Sequence, residues 1–298
     1  MLFSLFGFAQ NEVLSPLHYN PAVAAKWQEA QILQKQHLHN YRANSLYTDT
    51  LSLPFLDDFS KDTVYPNQSL WLDSSVYVNP DFPIAPVTIG VATFDGLNSK
   101  GYPYDPSSVS GSFLSDKLTS HPINLGSPIT ASDSIYLSFY YQAQGRGINP
   151  KSSDSILLQF KAPNQPLSQA WKEVWYHLGY SLSLTDSASH LVMIPIRDTA
   201  FLQNGFQFRF ENYASQNGPF NQWNIDYVYL NKLRTKSDTI FKDMAFVYKP
   251  QSLITPYQSM PWEQYIPTNM RTSVNTYIRN NDATVDNTSY NYYIKDAY

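Results

Sequence analysis

Alternating hydrophobic and polar positions recur along most of the chain and predict β-strands. The clearest run is GFQFRFEN (205–212), whose three phenylalanines would face inward while Gln207, Arg209 and Glu211 face a solvated side. Because short turns rather than helices separate such runs, antiparallel sheets packed as a sandwich are predicted. Further strands are predicted at 134–142, 155–160, 170–176, 190–196 and 223–231.

The N-terminal part has a different pattern. NPAVAAKWQEAQILQKQHLHNYR (20–42) repeats hydrophobic positions at helical spacing, with Asn20 as the predicted N-cap and Pro21 in the first turn. His37 and His39 are two residues apart and would lie on different faces of this helix, which is poor geometry for a metal. We interpret them as solvated and assign residues 10–50 to an N-terminal helical segment.

The first residues form an apolar run, MLFSLFGFAQ, that ends in the small-x-small pattern Gly7-Phe8-Ala9. This is typical of the end of a signal peptide and its cleavage site, here residues 1–9, and it predicts a secreted or cell-surface protein. The alternative is a packed or disordered apolar N-terminus. No later stretch approaches the ~20 apolar residues of a membrane span, so none is predicted.

Composition narrows the function classes. The 298 residues include 23 Tyr and 17 Phe with 15% charged residues, which favours strands and turns. A net charge of -4 with scattered Lys and Arg gives no basis for a nucleic-acid partner. The chain has no cysteine, which excludes disulfides, thiolate metal sites and cysteine nucleophiles.

The C-terminal part begins with the proline-rich stretch KPQSLITPYQSMPW, which predicts a linker at residues 251–262. Residues 263–298 contain two alternating runs around a polar turn, and they resemble the first strands of an immunoglobulin-like domain. Since a complete sandwich of that type needs ~100 residues, we expect the chain to be a fragment of a longer protein. The alternative is that these strands pack onto the main domain.

The main domain, residues 51–250, carries an ordered series of motifs: LPFLDDFS, LWLDSSVYVN, IGVATFDGLNSKGYPYD, SIYLSFYYQAQGRG, WKEVWYHLG, FQFRFENYAS and WNIDYVYLN. This order resembles the concanavalin-like jelly roll of MAM-type domains. It is closer still to that of large uncharacterised secreted proteins of gliding, type IX-secreting bacteria. The disulfide cysteines of MAM domains are absent, and a C-terminal sorting signal would have to lie in a missing region. The resemblance implies an all-β, two-sheet antiparallel jelly-roll sandwich, preceded by one helix and followed by the start of an Ig-like β domain.

The resemblance also implies a structural calcium site. In jelly rolls of this kind the first and last strands are neighbours, and carboxylates from both bind Ca²⁺, which takes six to eight oxygen ligands. The corresponding residues here are Asp57 or Asp58 on the opening strand, Asp226 on the closing strand, and Asp95. The alternative is that Asp226 accepts backbone N–H bonds at a turn and that Asp95-Gly96 is an ordinary turn.

Sequence motifs typical of catalytic sites are weak in this chain. A glycosidase needs two carboxyl groups facing each other across a cleft, and Glu173 and Glu211 are the candidates on strands. We interpret Glu211 instead as a surface ion-pair partner of Arg209. No Gly-x-Ser-x-Gly elbow is present, and His121 and His177 have no identifiable partner. The protein is therefore predicted not to be an enzyme.

Loop aromatics are the more plausible functional residues, because Tyr and Trp offer rigid apolar area with a polar tip. Tyr102, Tyr104 and Trp223 lie in or beside predicted loops, and Arg146 lies between two glycines where it would meet an anionic ligand. Ordinary loop packing is the alternative for each of them.

Two functions fit these observations. The favoured one is a non-enzymatic secreted or surface protein whose jelly roll serves adhesion or surface assembly, with a glycan or a surface protein as partner. The alternative is a carbohydrate-binding accessory module of a longer secreted enzyme. An aromatic platform on one sheet or at the loop tips would favour the second, and flat mixed surfaces the first.

Overall fold

The computed structural model describes residues 18–36, 50–61, 63–108, 111–126, 128–166, 170–180, 188–285, 287–289, 291 and 293. The predicted signal-peptide remnant, His37 and His39 lie outside the described residues. Within them, no helix is long and apolar enough to cross a membrane.

The described residues form one α-helix and a series of strands, as the pattern predicts. The predicted strands at 134–142, 155–160, 170–176, 190–196, 205–212 and 223–231 are all present. The elements are α1 (Pro21–Gln36), β1 (Phe55–Asp57), β2 (Tyr77–Asn79), β3 (Val91–Phe94), β4 (Phe113–Thr119), β5 (Ile123–Asn124), β6 (Ile135–Ala143), β7 (Ser155–Lys161), β8 (Trp171–Leu178), β9 (His190–Ile196), β10 (Asn204–Ala214), β11 (Trp223–Asn231), β12 (Met244–Phe246) and β13 (Ile278–Asn280).

Two antiparallel sheets pack face to face, which confirms the all-β sandwich. The six-stranded sheet has the order β2-β3-β11-β6-β9, with β1 also paired to β11. The five-stranded sheet has the order β4-β10-β7-β8, with β5 also paired to β10. The opening and closing strands of the domain are therefore neighbours, with Phe55 opposite Leu230 and Asp57 opposite Val228.

The core between the sheets is largely aromatic. Phe206, Phe208 and Phe210 of β10 are fully buried, as the alternation predicts. Phe210 meets Phe139 of β6 edge to face with ring centroids 4.8 Å apart, which joins the two sheets. Trp71 meets Phe208 in the same way at 5.6 Å.

Strand β11 departs from the strict alternation that its sequence suggests. Trp223 and Ile225 face the core, but so do Val228 and Leu230. The register against β6 shifts between Asp226 and Tyr229, and Tyr227 has a left-handed φ of 50°. This β-bulge inserts one residue and moves the later side chains to the opposite face. Strict alternation along 223–231 would place Tyr227 and Tyr229 on the face of Trp223, whereas the bulge leaves both on the opposite face.

The outer face of the six-stranded sheet is covered by other parts of the chain. Gln142 exchanges two hydrogen bonds with the backbone of Ile84, at 3.0 and 2.7 Å. Arg234 is buried and donates to Ser138 Oγ at 2.8 Å and to the Tyr229 carbonyl at 2.9 Å. Phe241 packs on Tyr227 with ring centroids 4.5 Å apart. This sheet therefore has little open surface for a ligand.

The C-terminal residues contribute to this cover. Strand β13 pairs with β12, and the side chains of Arg279 and Asn281 donate to the carbonyls of Pro86 and Val87 at 3.4 and 3.3 Å. Residues 278–281 thus pack onto the main domain, which was the alternative to a separate module for this stretch. The assignment of residues 263–298 to an Ig-like module and of 251–262 to a linker stays a prediction.

Helix α1 begins where the sequence predicts. The Asn20 side chain accepts hydrogen bonds from the backbone N–H groups of Ala22 and Val23 at 3.1 and 3.3 Å, as an N-cap does. The Asn20 N–H donates to the Gly101 carbonyl at 2.8 Å, so the cap also anchors the helix to the β3–β4 loop. Val23 and Ala24 are buried, whereas Ile32 and Leu33 are exposed. The helix is therefore attached mainly by its first turn.

Candidate functional site

The carboxylates of the opening strand are engaged by their own neighbourhood. Asp57 is buried and accepts from Trp71 Nε1 at 2.6 Å and from the Phe59 N–H at 2.9 Å. Asp58 accepts from the N–H and the hydroxyl of Ser60 at 3.1 and 2.7 Å, a local turn. Both side chains therefore stabilise the chain at β1, where the domain begins.

Asp226 is buried beneath the loop that covers the six-stranded sheet. Its Oδ2 accepts from the backbone N–H groups of Val87 and Thr88 at 3.2 and 3.1 Å, and its Oδ1 lies 2.9 Å from Thr88 Oγ1. Burial raises the pKa of Asp226 to about 8, while the donors from Thr88 act in the opposite direction. This is the backbone-acceptor role given above as the alternative to calcium binding.

Asp95 lies in a second buried cluster, with Asp116. Asp95 accepts from the Leu97 N–H at 3.0 Å, which closes the predicted turn at Asp95-Gly96. Asp116 accepts from the Gly96 N–H at 2.8 Å and from Asn212 at 3.0 Å. Burial, together with the neighbouring Asp116, raises the pKa of Asp95, and burial raises that of Asp116 to about 7.

These positions bear on the calcium hypothesis. Among the described residues, no group of three or more Asp, Glu, His or Cys side chains is arranged to hold a metal ion. Asp57, Asp58, Asp95 and Asp226 therefore do not converge on one point through their carboxylates. A structural calcium ion stays a prediction.

The predicted ligand-binding residues have different environments. Tyr102 is 38% exposed and stacks on Tyr19, with ring centroids 5.6 Å apart. The Tyr104 hydroxyl donates to buried Asp116 at 3.2 Å, and burial raises the pKa of this tyrosine. Arg146 is exposed at a turn. Trp223 begins β11 directly after a loop, as predicted, but its side chain is fully buried, so it offers no surface to a ligand.

A candidate binding site that the sequence analysis does not predict lies on the outer face of the five-stranded sheet. Residues directly opposite each other in antiparallel strands project from the same side. Arg209 lies opposite Gln159, which lies opposite Glu173, and Gln207 lies opposite Lys161, which lies opposite Trp171. We call these outward side chains the polar face: Lys117, Leu157, Gln159, Lys161, Trp171, Glu173, Tyr176, Gln207, Arg209 and Glu211.

The polar face is organised by its own contacts. Arg209 Nε donates to Gln159 Oε1 at 2.7 Å, and Lys161 Nζ donates to Gln207 Oε1 at the same distance. Arg209 also pairs with Glu211 at 3.0 Å. The predicted Arg209–Glu211 pair thus exists, but the prediction of a solvated Glu211 is wrong, since its side chain is only 2% exposed. Lys117 lies opposite Glu211 on β4, with its Nζ 3.7 Å from Glu211 Oε1.

Two aromatic side chains border this face on edge strand β8. The Arg209 guanidinium lies over the Trp171 ring, 4.1 Å from the ring centroid. This cation–π contact orients both groups. Tyr176 is 57% exposed. The sequence placed Trp171 in a strand, but only the register across β7 brings it beside the cations of β7 and β10.

Comparisons with known proteins give distant similarities of structure. No family model and no curated protein matches the chain. The K1 cleaved adhesin domain of Lys-gingipain from Porphyromonas gingivalis W83 is 10% identical, over 60% of this chain and 97% of that one, with a TM-score of 0.37. The carbohydrate-binding module CBM27-1 of Caldicellulosiruptor saccharolyticus, solved with mannohexaose, is 14% identical over 60% and 96%, with a TM-score of 0.35.

The α-L-arabinofuranosidase MgGH51 is 14% identical with a TM-score of 0.37, over 61% of this chain and 27% of that one. This chain thus spans about a quarter of the length of that enzyme. TM-scores this low carry no argument about function, so any function has to be argued from the side chains described above.

Proposed function

We propose that the protein is a non-catalytic binding module, secreted or displayed at the cell surface, that adheres to a glycan through its polar face. The observation that carries the proposal is the hydrogen-bonded array around Arg209 on the outside of the five-stranded sheet. Export rests on the N-terminal pattern, and the type IX route and MAM kinship rest on the sequence resemblance alone.

The chemistry of the polar face suits a hydroxyl-rich ligand. Amide, guanidinium, ammonium and carboxylate groups alternate across neighbouring strands, so donors and acceptors lie side by side. Their mutual hydrogen bonds hold them in place before a ligand arrives, which lowers the entropy cost of binding. Trp171 and Tyr176 add rigid ring surface at the edge for the C–H faces of sugars.

A protein partner fits this face less well. The centre of a protein–protein interface is usually depleted of charged residues. Here the two central strands carry Glu211 on β10 and Lys161 on β7 at the middle of the face, residue types that such interfaces lack, whereas the aromatic rings lie at its edge on β8. The arrangement therefore favours a glycan over a protein surface as the ligand.

The test is binding of the whole chain to a panel of polysaccharides by affinity electrophoresis, followed by variants of the polar face. We expect at least one glycan to bind and Trp171→Ala to weaken it about tenfold or more, as loss of an aromatic anchor does. Trp262→Ala is the matched control, because Trp262 is 81% exposed outside the sandwich strands. Tyr102→Ala tests the loop prediction in parallel.

A folded protein that binds no glycan would contradict the proposal. So would binding that survives Trp171→Ala but is lost in Tyr102→Ala, which would move the site to the loops. Unfolding curves of each variant separate lost binding from lost structure.

A further inference from the structure

A cleft of 450 Å³ opens at one end of the sandwich, away from the polar face. Three loops form it: the β3–β4 loop, the β6–β7 loop and the β10–β11 loop. Its volume falls in the range of small-molecule sites, ~300–1,000 Å³. We call it the loop cleft; it is lined by Ser108, Gly111, Lys151, Ser153, Ser215, Asn217 and Phe220.

The loops around the loop cleft are tied together and to the sheets. The Asp105 N–H donates to the Gln216 carbonyl at 3.0 Å, which joins the first loop to the third. Asp154 is buried and accepts from the Lys151 N–H at 2.7 Å, which closes the second loop. Asn221 donates to Ser215 Oγ at 3.2 Å. The described residues of these loops therefore hold one another through hydrogen bonds of their own.

Two polar groups in the wall have capacity to bind a ligand. Asn217 Oδ1 is buried and accepts no hydrogen bond from the described residues. Leaving such an acceptor unsatisfied costs free energy that a ligand hydroxyl would recover. Lys151 Nζ lies 3.4 Å from Ser215 Oγ and within 4 Å of no carboxylate in the described part of the chain.

The rest of the cleft wall consists of one aromatic ring and several hydroxyl groups. A Cβ on Gly218 would lie 2.5 Å from Phe220 Cε2, so a glycine at this position lets the Phe220 ring lie close against the loop backbone. Ser108 and Ser153 bring further hydroxyl groups to the cleft. The wall thus combines one ammonium, one free amide oxygen, several hydroxyls and one apolar ring.

We propose that the loop cleft is a second binding site, separate from the polar face, for a small hydroxylated carboxylate such as a uronic acid. The carboxylate pairs with Lys151, because a charge-assisted hydrogen bond is the strongest contact this wall offers. The Asn217 amide, whose Oδ1 is buried in the cleft wall, turns to accept from a ligand hydroxyl. The C–H face of the ligand ring packs on Phe220. The two sites share no residue, so either can fail without the other.

Calorimetric titration of the whole chain with D-galacturonate, with neutral D-galactose and with trigalacturonate tests this assignment. We expect galacturonate to bind about tenfold or more tightly than galactose, as loss of a hydrogen bond to a charged group implies. If the cleft holds a chain end, trigalacturonate binds at least as tightly as the monosaccharide. If it takes only the monosaccharide, trigalacturonate binds more weakly.

Variants then assign the contacts. Lys151→Met should remove the preference for galacturonate over galactose, while Lys236→Met, a control lysine outside the cleft, should keep it. Asn217→Ala should weaken both sugars and serves as the second variant if Lys151→Met does not fold. Equal affinity of the wild type for the two sugars, no binding of either, or a preference that survives Lys151→Met would overturn the proposal.

Discussion

At the scale of single residues, Asp226 shows what burial does to a carboxyl group in this fold. It accepts hydrogen bonds from Val87 and Thr88, which favour its charged form. Desolvation opposes them and is the larger effect, so the pKa is raised to about 8. Since β11 carries Asp226 and the loop before β3 carries its donors, this residue joins the sheet to its covering loop.

This pKa makes stability depend on pH in a defined direction. The folded-state pKa of about 8 lies above the ordinary value of 3.8. Between these values the unfolded chain releases a proton that the folded protein keeps, so the free energy of unfolding falls as pH rises. The contribution of Asp226 is fully present below pH ~4 and is lost by pH ~8, at no more than about 1.4 kcal/mol per pH unit.

Asp226→Asn removes this titration. We therefore expect the variant to gain stability relative to the wild type as pH rises from about 4 to 8, measured by urea unfolding at each pH. Asp81→Asn, at an exposed position, is the control and should run parallel to the wild type. A difference curve for Asp226→Asn that stays flat over this range would show that the group is charged in the folded protein.

At the scale of elements, β11 shows where the periodicity of hydrophobic residues fails to predict which face a side chain occupies. The bulge at Tyr227 is not visible in WNIDYVYLN, because tyrosine has no preference for a positive φ. It is imposed by the need to place Val228 and Leu230 in the core and to turn Tyr227 toward Phe241. Packing on both faces outweighs the local preference here.

Helix α1 is expected to open locally before the sandwich unfolds. Its buried residues are Val23 and Ala24, and the backbone N–H of its cap residue, Asn20, donates to the Gly101 carbonyl. Asn20→Ala should destabilise the helix by about 1 kcal/mol, as the loss of an N-cap does. Hydrogen exchange of the α1 amides should accelerate about fivefold, while the β6 and β10 amides stay unchanged.

Asn20→Ser is the matched control, because serine caps helices as well as asparagine. It should keep the wild-type exchange rates in α1. Equal acceleration throughout the sandwich in Asn20→Ala would mean that the helix and the sheets unfold as one cooperative unit.

At the scale of the whole molecule, the two outer sheet faces differ in what lies on them. Residues from the loop before β3, from 232–247 and from 278–281 cover the six-stranded sheet. The five-stranded sheet instead presents a charged, hydrogen-bonded array between β4 and β8. This asymmetry leaves the five-stranded sheet as the open face, and the hydrogen-bonded array around Arg209 on that face carries the proposal of a glycan site.

The calcium prediction also belongs to this scale, because it would bridge the opening and closing strands. If it holds, Ca²⁺ added after chelator treatment raises the melting temperature, and Asp226→Ala removes that response. Asp105→Ala, at an exposed turn, is the control and should retain it. Identical melting curves with chelator and with Ca²⁺ would rule the ion out.

Much of the fold is determined by the sequence itself. Residues such as Phe206, Phe208 and Phe210 alternate so regularly that strand, inward face and sandwich class all follow. Asn20 likewise predicts the start of α1 through local capping alone. These features depend on neighbours within a few residues, which the sequence displays directly.

The candidate sites depend on tertiary structure. Trp171 and Arg209 are 38 positions apart in sequence and meet only because β7 pairs with both β8 and β10 in one register. Glu211 looks solvated in sequence but is 2% exposed, and it pairs with Lys117 on the neighbouring strand as well as with Arg209 on its own. The loop cleft joins three loops far apart in the chain. Strand pairing and loop contacts are long-range, so only the folded chain decides which side chains meet.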